Sequence, residues 1–166
     1  MLYFIAIVAP DKVNRQVLQW KQYMLQQFNC QVALKSPAHI TLVPPFSMRQ
    51  EREEELVSIL KTIHFEPFPI HLKNFDAFTP RVIFVHVEPS PTLEALKTAI
   101  ENALAGFPIK KEERPFHPHV TIANRDLEKK DFPAAWDHFS NIHYEAVFEA
   151  NNISLLRHNG VQWEIA

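Results

Sequence analysis

Glycine is nearly missing from this chain of 166 residues: Gly106 and Gly160 are the only two, and they lie far apart. A loop that cradles a nucleotide phosphate on successive backbone amides needs several glycines close together, so the Walker and dinucleotide-binding fingerprints are excluded. Most ATP- and NAD-using classes go with them, and no cofactor is expected. Cysteine is scarcer still. Cys30 stands alone, so neither an intramolecular disulfide nor a Cys-x-x-Cys metal or redox motif can form. That usage fits a reducing, cytoplasmic setting, with Cys30 in a packing role. No run of lysine or arginine interrupts the near balance of 17 basic and 19 acidic residues, which leaves no extended nucleic-acid surface and no membrane patch. Long apolar runs are lacking too: "LYFIAIV" has no basic leader and gives way to Pro10, which predicts a first strand rather than a signal peptide or membrane span.

What is present is a globular composition, 46% hydrophobic and 22% charged, large enough for a real core. It fits one domain over residues 1–166, expected to be a monomer. The 13 prolines mark joints between alternating strands and helices. After the first strand, with Asp11 placed to cap, Val13, Val17, Trp20, Met24 and Phe28 recur at helical spacing. Leu56, Ile59, Leu60 and Ile63 follow the acidic "EREEE" as a second helix whose first turn suits the helix dipole. Residues 68–78 look extended. At residue 82 the pattern restarts: "VIFVHVEP" (82–89) aligns with "YFIAIVAP" (3–10) at an offset of 79, and Leu93, Leu96, Ile100 and Leu104 repeat the helix, with Ser90 as N-cap and Pro91 at its first position. The tail supplies two or three more strands, with "NN" and "HNG" as turns.

Two short phrases also repeat. "HITL" at 39–42 and "HVTI" at 119–122 stand 80 residues apart, each following a strand and a helix of its own half. Two related lobes, with repeat units starting near 2 and 82, account for the coincidence. On a strand, alternate side chains share a face. His39 and Thr41 therefore point one way while Ile40 and Leu42 point to a core, and His119 and Thr121 oppose Val120 and Ile122 likewise. With nine histidines and twelve Ser or Thr, chance alone predicts about one such His-x-Ser/Thr match, and His138-Phe-Ser140 is one of that kind: it lacks an apolar fourth residue and falls in a predicted helix. Two imidazoles and two hydroxyls brought to one cleft suit a phosphodiester. One neutral imidazole takes a proton, one protonated imidazole gives one, and the hydroxyls donate to phosphate oxygens.

The paired motifs, together with "RVIFVHV", "RPFHPHVTIA" and "ISLLRHNGVQW", resemble the two-histidine (2H) phosphoesterase superfamily, in particular its 2′-5′ RNA ligase-like branch. The resemblance implies an α+β bilobal fold, with two pseudo-symmetric lobes, antiparallel sheets around a central cleft and helices outside. It implies metal-independent action on 2′,3′-cyclic phosphates or 2′-5′ linkages in RNA ends or small nucleotides, with His39 and His119 as the acid–base pair and Thr41 and Thr121 as phosphate donors. Family members often carry arginine just after the second motif's "TxA"; here Asn124 stands there and Arg125 follows.

Other residues near the motifs are weaker candidates. Phe46, Phe78 and Phe116 could stack on a base, core packing being the alternative. Arg81, Arg114, Lys35 and Arg125 could meet a phosphate or stay solvated on the surface. His117, two residues before His119, would with His39 and His119 supply three nitrogens for zinc, making a zinc hydrolase one alternative. A protein of the same fold that only binds a nucleotide or RNA end is the other.

Overall fold

A computed structural model describes all 166 residues, Met1 to Ala166. The elements run β1 (Leu2–Val8), α1 (Asp11–Phe28), β2 (His39–Ser47), α2 (Glu53–Lys61), β3 (Phe68–Phe78), β4 (Val82–Val87), α3 (Pro91–Ala103), β5 (His119–Ala123), α4 (Phe132–Ser140), β6 (Glu145–Ala150), β7 (Ser154–His158) and β8 (Trp163–Ile165). Short 3₁₀ turns at Val32–Lys35 and Gln50–Arg52 precede β2 and α2. Ser90 caps α3 as expected, its Oγ accepting from the Leu93 N–H at 3.1 Å, with Pro91 in the first turn. Asp11 does not cap α1. The cap position is Pro10, and Asp11 begins the helix, where its charge meets the positive end of the dipole.

Eight strands form two antiparallel sheets in the orders β2-β1-β7-β8 and β5-β4-β3-β6. Each motif strand is therefore an edge strand paired with the first strand of its own repeat. The sheets do not divide along the halves of the chain: β3, from the first half, joins the second sheet, and the C-terminal β7 and β8 complete the first. Asn151-Asn152 is accordingly a crossing between sheets and not a hairpin turn, whereas the turn after His158 does join two paired strands.

The pairing register corrects the repeat alignment by one residue. Ala6 faces Thr41 and Val8 faces His39 in the first sheet, as Phe84 faces Thr121 and His86 faces His119 in the second. The first strands thus match at an offset of 78, not 79. One residue of slip exchanges the faces of a strand, so Phe84 is the counterpart of Ala6 on the motif face and not of Ile5 in the core.

Helices cover one face of the sheets, and they do so crosswise. α1, which follows β1, packs beside β5; α3, which follows β4, packs beside β2. From α1, Trp20 meets Phe75 and Tyr144, and Tyr23 meets Phe139, all belonging to the second sheet or to the helix and turn that lead into β6. One apolar core of 37 buried residues results, drawing on both sheets. A separate small cluster of Phe4, Ala6 and Leu156, with Val8 and Trp163 against it, lies on the motif face of the first sheet. Two polar ties hold the arrangement. The Arg157 guanidinium meets the Glu53 carboxylate at 2.7 Å and Glu164 at 2.9 Å, while the Tyr3 hydroxyl donates to Glu53 at 2.8 Å. Asp126, just after Arg125, accepts the backbone N–H groups of Gln31 (2.6 Å) and Val32 (2.9 Å) from the turn that leads into β2.

Candidate active site

β2 and β5 contact each other along the line where the two sheets meet. On β2, Ile40 and Leu42 are fully buried while His39 and Thr41 are half-buried on the other face; on β5, Val120 and Ile122 are fully buried and His119 and Thr121 half-buried. The alternation expected from the sequence holds in both strands.

The two imidazoles are held in the same way. His39 Nδ1 lies 2.7 Å from the Pro37 carbonyl oxygen, and His119 Nδ1 lies 2.6 Å from the His117 carbonyl oxygen, two residues back in each case. A carbonyl oxygen only accepts, so each Nδ1 carries the hydrogen and each neutral ring keeps its lone pair on Nε2. Aromatic rings form the floor beneath: Phe4 is 4.7 Å from the His39 ring, and Phe84 and Phe78 are 4.9 and 5.2 Å from that of His119. These apolar surroundings disfavour the imidazolium. Burial pushes His39 down to about 4, with the charges of Lys21 and His119 adding and the Pro37 carbonyl opposing. His119 is lowered too, by burial first and then by the neighbouring His117 charge, against the pull of the His117 carbonyl.

A cavity of about 310 Å³ opens between the sheets. Thr41 from the first motif and His119 from the second line it together, with Phe78, Lys97, Arg114 and Phe116. Lys97, on α3, is buried; its Nζ donates to the Leu42 carbonyl at 2.6 Å, sits 5.1 Å above the Phe116 ring and has Glu101 at 4.0 Å. An ammonium from the second repeat thus fastens the first motif by its fourth residue.

The other sequence candidates separate. Phe116 and Phe78 line the cavity. Phe46 does not: it lies opposite Tyr3 in the register, on the face that carries Ile5 and Ile7, and is buried against the Tyr3 ring with centroids 6.0 Å apart. That face is the core, so stacking on a substrate base is ruled out for it. Arg81 and Arg125 are exposed and adjacent, the Arg81 Nη1 donating to the Arg125 carbonyl at 3.4 Å, away from the cavity lining. The zinc alternative finds no support in the geometry. His117 is exposed, its ring 6.2 Å from that of His119, and no three His, Cys, Asp or Glu side chains are assembled for a metal.

Two residues escaped the sequence argument. Lys21 and Lys97 are the only buried charged side chains, and both occupy the apolar stripe of their helix: Val17, Lys21, Met24 on α1 and Leu93, Lys97, Ile100 on α3. A lysine in register with a buried stripe was the available signal.

A family model described as the 2′-5′ RNA ligase superfamily matches residues 9–162. The chain belongs to that superfamily. The resemblance carried by the two His-x-Thr motifs is therefore borne out, as is the α+β fold with antiparallel sheets, which here have four strands each. A Geobacillus sp. (strain WCH70) protein described as a candidate phosphoesterase is 31% identical, the match covering 78% of this chain and 75% of that one. The RNA 2′,3′-cyclic phosphodiesterase of Bacillus subtilis (strain 168) is 29% identical over 80% of this chain and 75% of its own. Among solved structures, E. coli LigT complexed with 3′-AMP shares the superfamily fold with a TM-score of 0.70 and 20% identity, covering 99% of this chain and 92% of that one. No helix is long and apolar enough to cross a membrane.

Proposed function

We propose that this protein is a metal-independent phosphodiesterase that opens 2′,3′-cyclic phosphates, or cleaves 2′-5′ linkages, at RNA ends or in small nucleotides, acting as a monomer in the cytoplasm. The observation that carries the proposal is the matched support of two imidazoles: each Nδ1–H is bound to the carbonyl two residues back, on facing edge strands, two residues before a threonine. The names of the Bacillus subtilis relative and the superfamily point to the same substrate class.

In hydrolysis of a cyclic phosphate, water attacks phosphorus while its proton passes to Nε2 of the neutral histidine; the bond from phosphorus to O2′ or O3′ breaks, and that oxygen takes a proton from Nε2 of the other. His39 and His119 share these two roles: burial lowers both rings, His39 to about 4, so one starts neutral as the base, and phosphate charge entering the cleft restores the proton affinity of the other, which serves as the acid. Thr41 and Thr121 donate to the non-bridging oxygens, where negative charge grows in the transition state. Phe116 and Phe78 offer rings to a base.

The test is turnover of 2′,3′-cyclic mononucleotides and of short RNAs with cyclic-phosphate ends in the presence of EDTA. Activity that survives the chelator and disappears in His39→Ala and His119→Ala supports the proposal; activity restored only by added zinc overturns it.

A further inference from the structure

Lys21 is 3% exposed and faces no carboxylate: no acidic oxygen lies within ion-pair distance of its Nζ. Its one hydrogen bond goes to the Ser36 carbonyl at 2.9 Å, so two of its three donors are unused. Burial pulls this amine down to about 8, the mark of a cation lacking a counter-charge. Lys21 lies on the wall of a second cavity, about 270 Å³, distinct from the one that Thr41 and His119 line. Lys35, also free of ion pairs, the side chains of Ser36, Asn14 and Gln162, and the Trp163 indole share that wall.

Beside Leu18, Leu34 and Pro37, the concave surface therefore carries two cations, three uncharged polar groups and one aromatic plane, without a single acidic residue. An anion attached to an aromatic ring is the ligand with that pattern of complementarity. The cavity also joins the first motif. Pro37 forms part of its lining, and the Pro37 carbonyl is the one that holds His39 Nδ1. Trp163 stands edge-on to Phe4 at 4.6 Å, and Phe4 is the ring beneath His39.

We propose that this cavity is a phosphate-and-base subsite for the nucleotide next to the reacting one, so that an RNA end of two or more nucleotides is preferred to a cyclic mononucleotide. Lys21 and Lys35 hold the neighbouring phosphate, and Trp163 stacks on its base. The assignment rests on the phosphodiesterase proposal above.

The experiment compares kcat/KM for a trinucleotide ending in a 2′,3′-cyclic phosphate with that for the cyclic mononucleotide, as a ratio, in the wild type and in Lys35→Ala, Trp163→Leu and Lys21→Met. A ratio well above one that falls about tenfold in the exposed Lys35→Ala or in Trp163→Leu, chiefly through KM of the trinucleotide, is expected; these two variants keep the test decisive if Lys21→Met fails to fold. The trinucleotide KM should also rise more steeply with salt, by roughly 0.7 in log KM per log unit for each phosphate contacted. A ratio near one, or one that none of the variants moves, overturns the subsite. Inorganic phosphate is the arm that separates sources: if it alters mononucleotide turnover through Lys35 and length has no effect, the cavity takes a free anion and the substrate-subsite proposal fails. Loss of turnover of both substrates by the wild type would instead be a failure of the phosphodiesterase proposal.

Discussion

In the proposed mechanism the hydroxyl of Thr121 and the carbonyl of His117 do different work within five residues of chain. Thr121→Val keeps the β-branched shape and deletes only the donor. Its rate is expected to fall by a hundred- to thousandfold, on the order of 2.7–4 kcal/mol, with an unchanged circular dichroism spectrum. His117→Ala removes an exposed ring but leaves the backbone carbonyl that holds His119, so its rate should stay within a few-fold of wild type. Single His39→Ala and His119→Ala losses of about 10²–10⁴-fold should not multiply in the double variant, because the two groups act as a unit. The pH dependence follows from burial. With His39 held at about 4 and His119 also lowered, kcat/KM should trace a bell whose limbs both lie below the ordinary histidine value near 6.5 and belong to the pair. A flat profile between pH 4 and 8 would contradict paired imidazole catalysis. Stability carries the same sign. His39 is neutral in the fold below the pH at which it protonates in the unfolded chain, so its contribution is complete above about 6.5 and is lost as pH falls towards 4. The drop in Tm between pH 7 and 4.5 should therefore be smaller in His39→Gln than in the wild type.

At the scale of elements, an edge strand must have its outward carbonyls satisfied, and for β2 part of that task falls to α3 through Lys97. Lys97→Met conserves length and packing but strands the Leu42 carbonyl beside Thr41. A cost of about 1–3 kcal/mol is expected, read as a fall of several degrees in Tm, together with reduced kcat. Lys97→Arg should not rescue it, since a planar guanidinium does not fit a 2.6 Å contact to one carbonyl in a buried space. Local pattern made the elements legible: the helical stripes, the Ser90 cap and the alternation in both motif strands follow from residues close in sequence. Alternation also fixes which face each of the four motif side chains occupies, and Thr41 of the first motif and His119 of the second line one cavity. Partners were not legible. Nothing in Val13, Val17 and Met24 says which sheet they will cover, so the crosswise seating of α1 and α3 was invisible, as was the return of β7 and β8 to the first sheet. Pro10 and Pro89 lie outside the paired strands, so an alignment on the prolines gives an offset one residue longer than the pairing does. Phe46 is close to the motif in sequence, yet its pairing opposite Tyr3 places it in the core.

For the whole molecule, the crosswise helices leave no plane along which the two repeats can part. Far-ultraviolet circular dichroism and tryptophan fluorescence should report coincident denaturant transitions, since neither repeat keeps its own core without the other. Two separated transitions would mean that the repeats fold independently. Asp126→Ala tests the polar tie: it leaves the Gln31 and Val32 N–H groups without their acceptor, loosens the turn that leads to Pro37 and His39, and should lower activity more than its Tm suggests. The shared core has a last consequence for the gap between the imidazoles. In the proposed mechanism Ile40 and Val120, fully buried behind His39 and His119, act as the shims that set it. Two groups that must reach opposite sides of one phosphorus tolerate little error in spacing. A methylene shaved from either shim resets the gauge of the cleft, so residues that never meet the substrate decide how well it fits.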